Sequence, residues 1–220
     1  MSMQKVCCFI LVSLMLSACG GGGGGGSSSS TAATTTATKS TTSTVTTTTT
    51  SSSVSVAPDF SNKTRVLDAS GVEGLNYECG STTATTSQGG VFECNSFPIS
   101  FYLGEIPLGS VSVVKDKVIY TTDLLSQARG AAHHPDVTKL SMLLQSLDSD
   151  KDLTNGIKIT QESSDLANQY FYADTNLSTI SLEDFEATLK ELATQNKEIL
   201  LINAKDAQDN LTSSLAIKIN

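Results

Sequence analysis

The sequence contains no tryptophan, and aromatic residues make up only 5% of its 220 positions. This scarcity disfavours a carbohydrate-binding platform built on stacked aromatic rings. Histidine is scarce as well, because His133 and His134 are the only two. Neighbouring side chains diverge on any regular element, so this pair is a poor candidate for a shared metal site or for catalysis. We expect both histidines in the loop or first turn before a helix.

The short motifs that carry common catalytic chemistries are also missing. The chain has no Gly-x-Ser-x-Gly elbow, His-Glu-x-x-His pair, phosphate loop or dinucleotide fingerprint. Carboxylate pairs such as Glu183 and Asp184 are common on solvated helix faces, and nothing in the sequence places two of them across a cleft. We therefore assign no catalytic residue. The alternative left open is an envelope hydrolase or other enzyme with a carboxylate-lined pocket that joins Asp148 or Asp150 with a histidine or another carboxylate.

Acidic residues are absent from the first 58 positions and abundant afterwards. All 22 Asp and Glu residues follow Pro58, together with 12 of the 14 Lys and Arg residues, which leaves a net charge of −10 on the remainder. This charge argues against nucleic acid or an anionic surface as a partner. About 160 residues are enough for one domain with its own core, so we expect a single domain over residues 58–220.

The first 18 residues have the layout of a secretory signal peptide. Lys5 precedes an apolar run over residues 6–16, which is shorter than the about 20 residues that cross a bilayer. The tetrapeptide that ends at Cys19 reads Leu-Ser-Ala-Cys and resembles the lipobox of bacterial lipoproteins. That resemblance implies cleavage after residue 18 and acylation of the Cys19 thiol. The alternative is an ordinary secretory signal in which this cysteine stands by chance.

Residues 19–57 then form a tract with neither apolar surface to bury nor charge to order it. Seven glycines, Gly20–Gly26, precede a Ser/Thr-rich stretch in which Lys39 is the one charged residue. We expect a flexible tether with an r.m.s. span of about 34 Å, either bare or O-glycosylated. The lipobox resemblance implies an outer-membrane anchor, because Gly20 is not the aspartate that commonly retains lipoproteins in the inner membrane. Two or three acyl chains make such an anchor effectively permanent, at the periplasmic face or the cell surface.

The five cysteines divide by position. Cys7 and Cys8 leave with the signal peptide and Cys19 takes the lipid, so Cys79 and Cys94 remain as a pair in an oxidising compartment. We expect them to form a disulfide, which at a separation of 15 residues stabilises the fold by roughly 3 kcal/mol. A redox pair is more often spaced Cys-x-x-Cys, and a zinc site needs further ligands.

Residues 58–120 are expected to be mainly β. Apolar and polar residues alternate over residues 75–79, and the alternation of Phe97, Ile99, Phe101 and Leu103 with polar neighbours is the clearest sign of a half-buried strand. Val111 and Val113 alternate with serines in another strand. Several short antiparallel strands closed by a disulfide predict a small sandwich-like sheet.

Residues 121–220 are expected to be mainly helical, so that the fold class is α+β. A helix starting at Pro135 has one apolar face that comprises Val137, Leu140, Leu144 and Leu147. A capping box at Ser181 predicts a helix to about Asn196. Ile157 and Ile159 suggest a short extended piece. We also expect a buried strand over residues 199–202 and a last helix over residues 204–215.

The acidic loop between the helix that starts at Pro135 and the extended piece at Ile157 is the sharpest local motif. Asp148, Asp150 and Asp152 alternate along the chain and are followed by Asn155-Gly156, as in loops that curl around calcium. The match to an EF-hand is partial, because Leu153 stands at the turn glycine and Ile159 at the bidentate glutamate. The sequence leaves two interpretations: a structural Ca²⁺ site made by Asp148, Asp150, Asp152 and Asn155, or an acidic turn that ends a helix.

Several short runs also resemble a module of surface lipoproteins and adhesin-like proteins of gamma-proteobacteria. The resemblance covers about residues 65–160 and supplies no catalytic residues. It is carried by the runs Gly74-Leu75-Asn76-Tyr77-Glu78-Cys79, Gly90-Val91-Phe92-Glu93-Cys94, Phe101-Tyr102-Leu103-Gly104, Leu108-Gly109 and Leu143-Leu144-Gln145-Ser146-Leu147-Asp148-Ser149-Asp150. Many copies of that module read Asp-Gly where this chain has Asp150-Lys151. The resemblance implies an anchored, non-catalytic binding or structural module whose ligand is an envelope component, a glycan or a protein.

Overall fold

The structure, a computed structural model, describes residues 63–128, 130–172 and 176–217. The signal peptide, the lipidation site Cys19 and the tether lie outside these residues, and their assignments stay predictions. All described residues belong to one compact unit, Val54–Asn220. Within the described ranges, no helix is both long and apolar enough to cross a membrane.

Short strands dominate the first half of the described chain and helices the second. The strands are β1 (Thr64–Leu67), β2 (Val72–Glu73), β3 (Asn76–Cys79), β4 (Thr82–Thr85), β5 (Val91–Phe92), β6 (Ile99–Leu103), β7 (Ile106–Val111), β8 (Val118–Tyr120) and β9 (Ile157–Lys158). The helices are α1 (Thr121–Leu124), α2 (Pro135–Ser146), α3 (Gln161–Tyr170), α4 (Leu182–Gln195) and α5 (Ala204–Ile217). The α+β class predicted from the sequence is therefore confirmed.

The largest sheet is antiparallel and has the order β4-β3-β6-β7. Its third strand, β6, shows the predicted alternation, since Ile99, Phe101 and Leu103 are buried while the residues between them are half-buried. The expectation that Phe97 continues this buried face is wrong. Phe97 is 54% exposed because it precedes the first paired residue of β6. Val113 is likewise exposed, at 62%, because β7 ends before it.

Two further sheets contain parallel pairs that link residues distant in the sequence. One has the order β5-β1-β8, with β1 antiparallel to β5 and parallel to β8. The other pairs β2 in parallel with β9, the extended piece expected around Ile157. This second pair connects the strand-rich half directly to the residues that follow the acidic loop.

The predicted disulfide between Cys79 and Cys94 is present. Cys79 ends β3 in the four-stranded sheet, while Cys94 follows β5 in the three-stranded sheet, so the bridge joins the two sheets. Beside it lies an aromatic cluster in which the ring centroid of Phe92 is 5.4 Å from that of Tyr77 and 5.3 Å from that of Phe101. The Tyr77 hydroxyl donates a hydrogen bond to the Glu93 carbonyl at 3.1 Å.

Helix α2 begins at Pro135, as predicted, but it is buried on every side. Eleven of its 12 residues are buried, including polar ones, whereas the sequence pattern indicated a single apolar face. The polar residues are accommodated by specific partners. Ser146 Oγ accepts a hydrogen bond from the Ile202 amide at 3.0 Å, and the Gln145 side chain bonds both to Asp68 and to α5.

Asp68, a fully buried carboxylate just after β1, is the main polar partner of α2. Its Oδ1 accepts hydrogen bonds from the Ala69 amide at 2.8 Å and from Gln145 Nε2 at 2.7 Å. Its Oδ2 accepts from Thr121 Oγ1 at 2.7 Å and from Ser141 Oγ at 2.6 Å. Four donors on two oxygens satisfy a group whose burial would otherwise be costly.

Lys139 is a second buried charge of α2. It is 2% exposed, and its Nζ lies 2.8 Å from Asp136 Oδ1. The same ammonium donates to the carbonyl oxygens of Leu177, and of Ile180 at 2.7 Å. Lys139 thereby fixes the segment before α4 to the helix at the centre of the domain.

The C-terminal helices agree with the sequence pattern except at two places. Ser181 caps α4 by accepting the Asp184 amide at 3.0 Å, as predicted, and α5 lies where the last helix was expected. Helix α3 was missed, because its ten residues contain few apolar ones and bury Ser163 and Ser164 beside Ala167. The strand expected over residues 199–202 is wrong: this segment has no regular secondary structure and pairs with no strand of the described chain, and Leu200 and Leu201 are each 43% exposed.

Removing the Asp68 carboxylate should destabilise the domain strongly. The substitution Asp68→Ala leaves the Gln145 amide and two hydroxyl groups buried without their acceptor, and each such group costs about 1–3 kcal/mol. We expect the free energy of unfolding to fall by about 3 kcal/mol or more in urea titrations followed by circular dichroism. Glu186→Ala, at an exposed position on α4, should change it by less than about 0.5 kcal/mol. Equal stabilities of the two variants would contradict this role of Asp68.

Removing the disulfide should have a separate effect of similar size. The double substitution Cys79→Ala and Cys94→Ala frees a loop closed at a separation of 15 residues, which corresponds to roughly 3 kcal/mol of unfolding free energy. The same loss should follow from reduction of the wild-type protein, measured by the midpoint of urea unfolding. A reductant that leaves the midpoint of the double variant unchanged provides the control. A wild-type midpoint that is insensitive to reductant would contradict the prediction.

Candidate functional site

The acidic loop of residues 148–158 begins directly after α2 and is closed at its base by backbone pairing. Asp148 Oδ1 accepts the Lys158 amide at 2.9 Å, and the Ser149 amide donates to the Lys158 carbonyl at 3.0 Å. Ile157 continues into β9, where its amide donates to the Gly71 carbonyl at 2.8 Å. The loop is therefore held at both ends by the core of the domain.

The tip of the loop is a pair of turns organised by carboxylates. Asp150 Oδ1 accepts the Asp152 amide at 3.0 Å, and Asp150 Oδ2 accepts Asn155 Nδ2 at 3.0 Å. Asp152 Oδ1 accepts both the amide of Thr154 at 3.1 Å and its hydroxyl at 2.6 Å. Asp152 thus caps its own turn, while Asp150 and Asn155 contact each other.

Asp148 differs from the other two aspartates because it is buried. It is 1% exposed, and its Oδ2 is the one side-chain oxygen of the loop that is buried without a hydrogen-bond partner among the described residues. Burial raises the pKa of Asp148, and the nearby Asp150 carboxylate raises it further, whereas hydrogen bonds from the Lys158 and Asp152 amides act in the opposite direction. The pKa of Asp150 is lowered, chiefly by its bonds from Asn155 and Asp152.

A polar cleft of about 470 Å³ lies beside the tip of the loop. Its charged and amide side chains are Glu73, Gln88, Asp150, Asn155 and Lys158. The floor comes from close backbone packing, since a Cβ placed on Gly71 would lie 2.1 Å from the Gly89 carbonyl oxygen. The sequence pattern did not indicate Glu73 or Gln88 as part of this site, because they reach it through the non-local β2–β9 pairing.

The histidines lie at the other end of α2. His134 precedes Pro135 as the N-cap residue, and its Nδ1 accepts the Asp136 amide at 3.2 Å. Asp148 follows the C-terminal end of the same 12-residue helix, which is about 18 Å long. The described structure therefore does not bring His134 to the acidic loop.

The structure brings together some of the four residues that the sequence suggested for calcium. Asp150 contacts Asn155 and lies beside Asp148, whereas Asp152 Oδ1 is engaged with Thr154. Among the described residues, no group of three or more His, Cys, Asp or Glu side chains is arranged to hold a metal ion. Any cation at this loop would therefore need amide, backbone or water oxygens besides two carboxylates.

Similarity to known proteins assigns neither family nor function to this fold. No protein-family model, no curated protein and no solved structure matches the chain.

Proposed function

We propose that this protein is an outer-membrane lipoprotein that presents a non-catalytic binding or structural module at the cell envelope. The single observation that supports this most strongly is the order of the chain: a lipobox ending at Cys19, an acid-free Gly/Ser/Thr tract over residues 20–57, and then the domain. In this proposal the thiol of Cys19 carries the lipid, the tract is the tether, and the domain meets the ligand.

The disulfide supports export of the domain. Disulfides persist in oxidising compartments and are rare in the cytosol. Cys79 and Cys94 are bonded to each other, so neither thiol is free to bind a metal. Their separation of 15 residues also differs from the Cys-x-x-Cys spacing of most redox pairs. An oxidising envelope compartment is where a signal peptide and a lipobox would deliver the chain.

A binding role agrees with the way the ionisable groups of the domain are used. Asp148 is buried, and its Oδ1 accepts the Lys158 amide at the base of the acidic loop. His134 caps α2 through its Nδ1 atom. By contrast, the exposed side chains of Gln88, Asp150 and Lys158 line an open polar cleft. Hydrogen-bond donors and acceptors of both charges suit a polar ligand, such as an envelope glycan or a protein segment.

Lipid attachment is tested by exchanging the cysteine of the lipobox. Cys19→Ser should abolish incorporation of labelled palmitate and release the protein from the membrane fraction, because the acceptor thiol is gone. Cys7→Ser, within the signal peptide, should leave labelling and fractionation unchanged. Gel analysis of labelled cells and mass spectrometry of the mature N-terminus provide the measurements. Labelling of the Cys19→Ser variant, or an unmodified thiol at residue 19 in the wild type, would contradict the proposal.

Ligand binding is tested by filling the polar cleft. Gln88→Trp places a bulky ring at the cleft, and we expect it to reduce binding to envelope polysaccharides or cross-linked envelope proteins at least about tenfold. Gln161→Trp, on exposed α3 surface, is the matched control and should bind like the wild type. Glycan arrays, peptidoglycan sedimentation and cross-linking on intact cells report the binding. Absence of any ligand for the wild-type protein, or equal loss in both variants, would contradict a binding role for this cleft.

A further inference from the structure

The Oδ2 atom of Asp148 is buried and accepts no hydrogen bond from the described residues. Asp148 Oδ1, by contrast, accepts the Lys158 amide. The Asp150 carboxylate and the Asp152 amide are both neighbours of the Asp148 carboxyl, and burial together with the negative charge of Asp150 raises the pKa of Asp148. Two carboxylates that face each other repel unless a proton or a cation lies between them. A native fold rarely leaves such an oxygen without a partner.

We propose that Asp148, Asp150 and Asn155 form a Ca²⁺ site within the acidic loop. Asp148 Oδ2 and the Asp150 carboxylate provide two anionic oxygens. Asn155 already contacts Asp150 through its amide nitrogen at 3.0 Å, and rotation of that amide presents Oδ1 instead. Backbone carbonyls and water complete the six to eight oxygens that calcium takes.

The donor set favours calcium over other common metals. All available ligands are oxygens, which excludes the nitrogen and sulfur ligands that zinc prefers. The loop is irregular, with Lys151 at φ 62° and Gly156 at φ 125°. Calcium tolerates such irregular geometry, whereas magnesium demands a near-ideal octahedron. The carboxylate of Asp152 serves the neighbouring turn through Thr154 and is not counted among the proposed ligands.

Lys158 opposes cation binding and thereby sets its strength. Its positive charge acts on Asp150, and its backbone holds Asp148 in place. A site with two carboxylates and an adjacent ammonium should be weak, with a Kd on the order of 10⁻⁴–10⁻³ M, as in extracellular calcium modules. The proposal does not depend on lipidation or on a ligand in the cleft.

The test is calcium binding by the mature, full-length protein in detergent. Equilibrium dialysis with ⁴⁵Ca²⁺ in 10 mM Mg²⁺ should detect one calcium per wild-type chain, and 10 mM Ca²⁺ should raise Tm by roughly 3–6 °C over metal-free buffer. Asp148→Asn should lose the calcium but melt in metal-free buffer at or above the wild-type Tm, because the new amide donates to Asp150. If Asp148 had only a structural role, Asp148→Asn would not lose calcium binding while keeping the metal-free Tm.

Three further variants complete the experiment. Asp150→Asn, at an exposed position, should also abolish binding without affecting the core. Lys158→Gln should tighten binding roughly 2–5-fold by removing the competing charge. Asp165→Asn, which removes an exposed charge from α3, should bind calcium like the wild type. The proposal is overturned if the wild type binds no calcium at 10 mM, if magnesium displaces it equally, or if Asp148→Asn and Asp150→Asn bind like the wild type.

Discussion

The hydrogen bonds of one buried carboxylate hold the domain together. Asp68 follows the first strand and receives donors from α1 and from two turns of α2. Because Gln145 also contacts the carbonyl of Ala207, α5 is joined to the same network. An unpaired carboxylate in the interior is costly, so the strand, the three helices and their spacing must all be correct at once. This requirement favours a single arrangement over other compact ones.

Helix α2 shows how a polar sequence forms the centre of a domain. The pattern of Val137, Leu140 and Leu144 predicted one buried face, and those residues are indeed buried. The opposite face carries Thr138, Lys139 and Gln145, polar residue types that usually indicate a solvent-exposed surface. They are buried because other segments supply their partners: Gln208 donates to Thr138, and two carbonyl groups accept from Lys139. Periodicity reveals apolar contacts but not the satisfaction of polar groups at long range.

Local patterns were accurate where local physics decides the structure. The β6 alternation, the Ser181 cap and the cysteine pair all follow from neighbouring residues or from composition, and the structure contains all three. The parallel pairing of β2 with β9 could not be predicted, since it joins segments far apart in the sequence. The acidic motif is contiguous in the sequence and can be recognised there. Glu73 and Gln88 lie far from it in the sequence, so the pattern does not place them beside it. The exposed Leu200 likewise shows that an apolar run alone does not specify a strand.

The hydrogen bonds that connect Asp68, Gln145 and Asn210 span most of the described chain, which affects when the interior can form during synthesis. Asp68 lies 77 residues before its partner Gln145, and Gln145 lies 65 residues before Asn210, whose amide it accepts. A nascent chain therefore cannot complete the interior until its final helix has left the ribosome. Until then Gln145, which donates to Asp68, lacks the Ala207 and Asn210 partners that α5 provides. The polar contacts of the early segments are thus completed only by the last helix of the described chain.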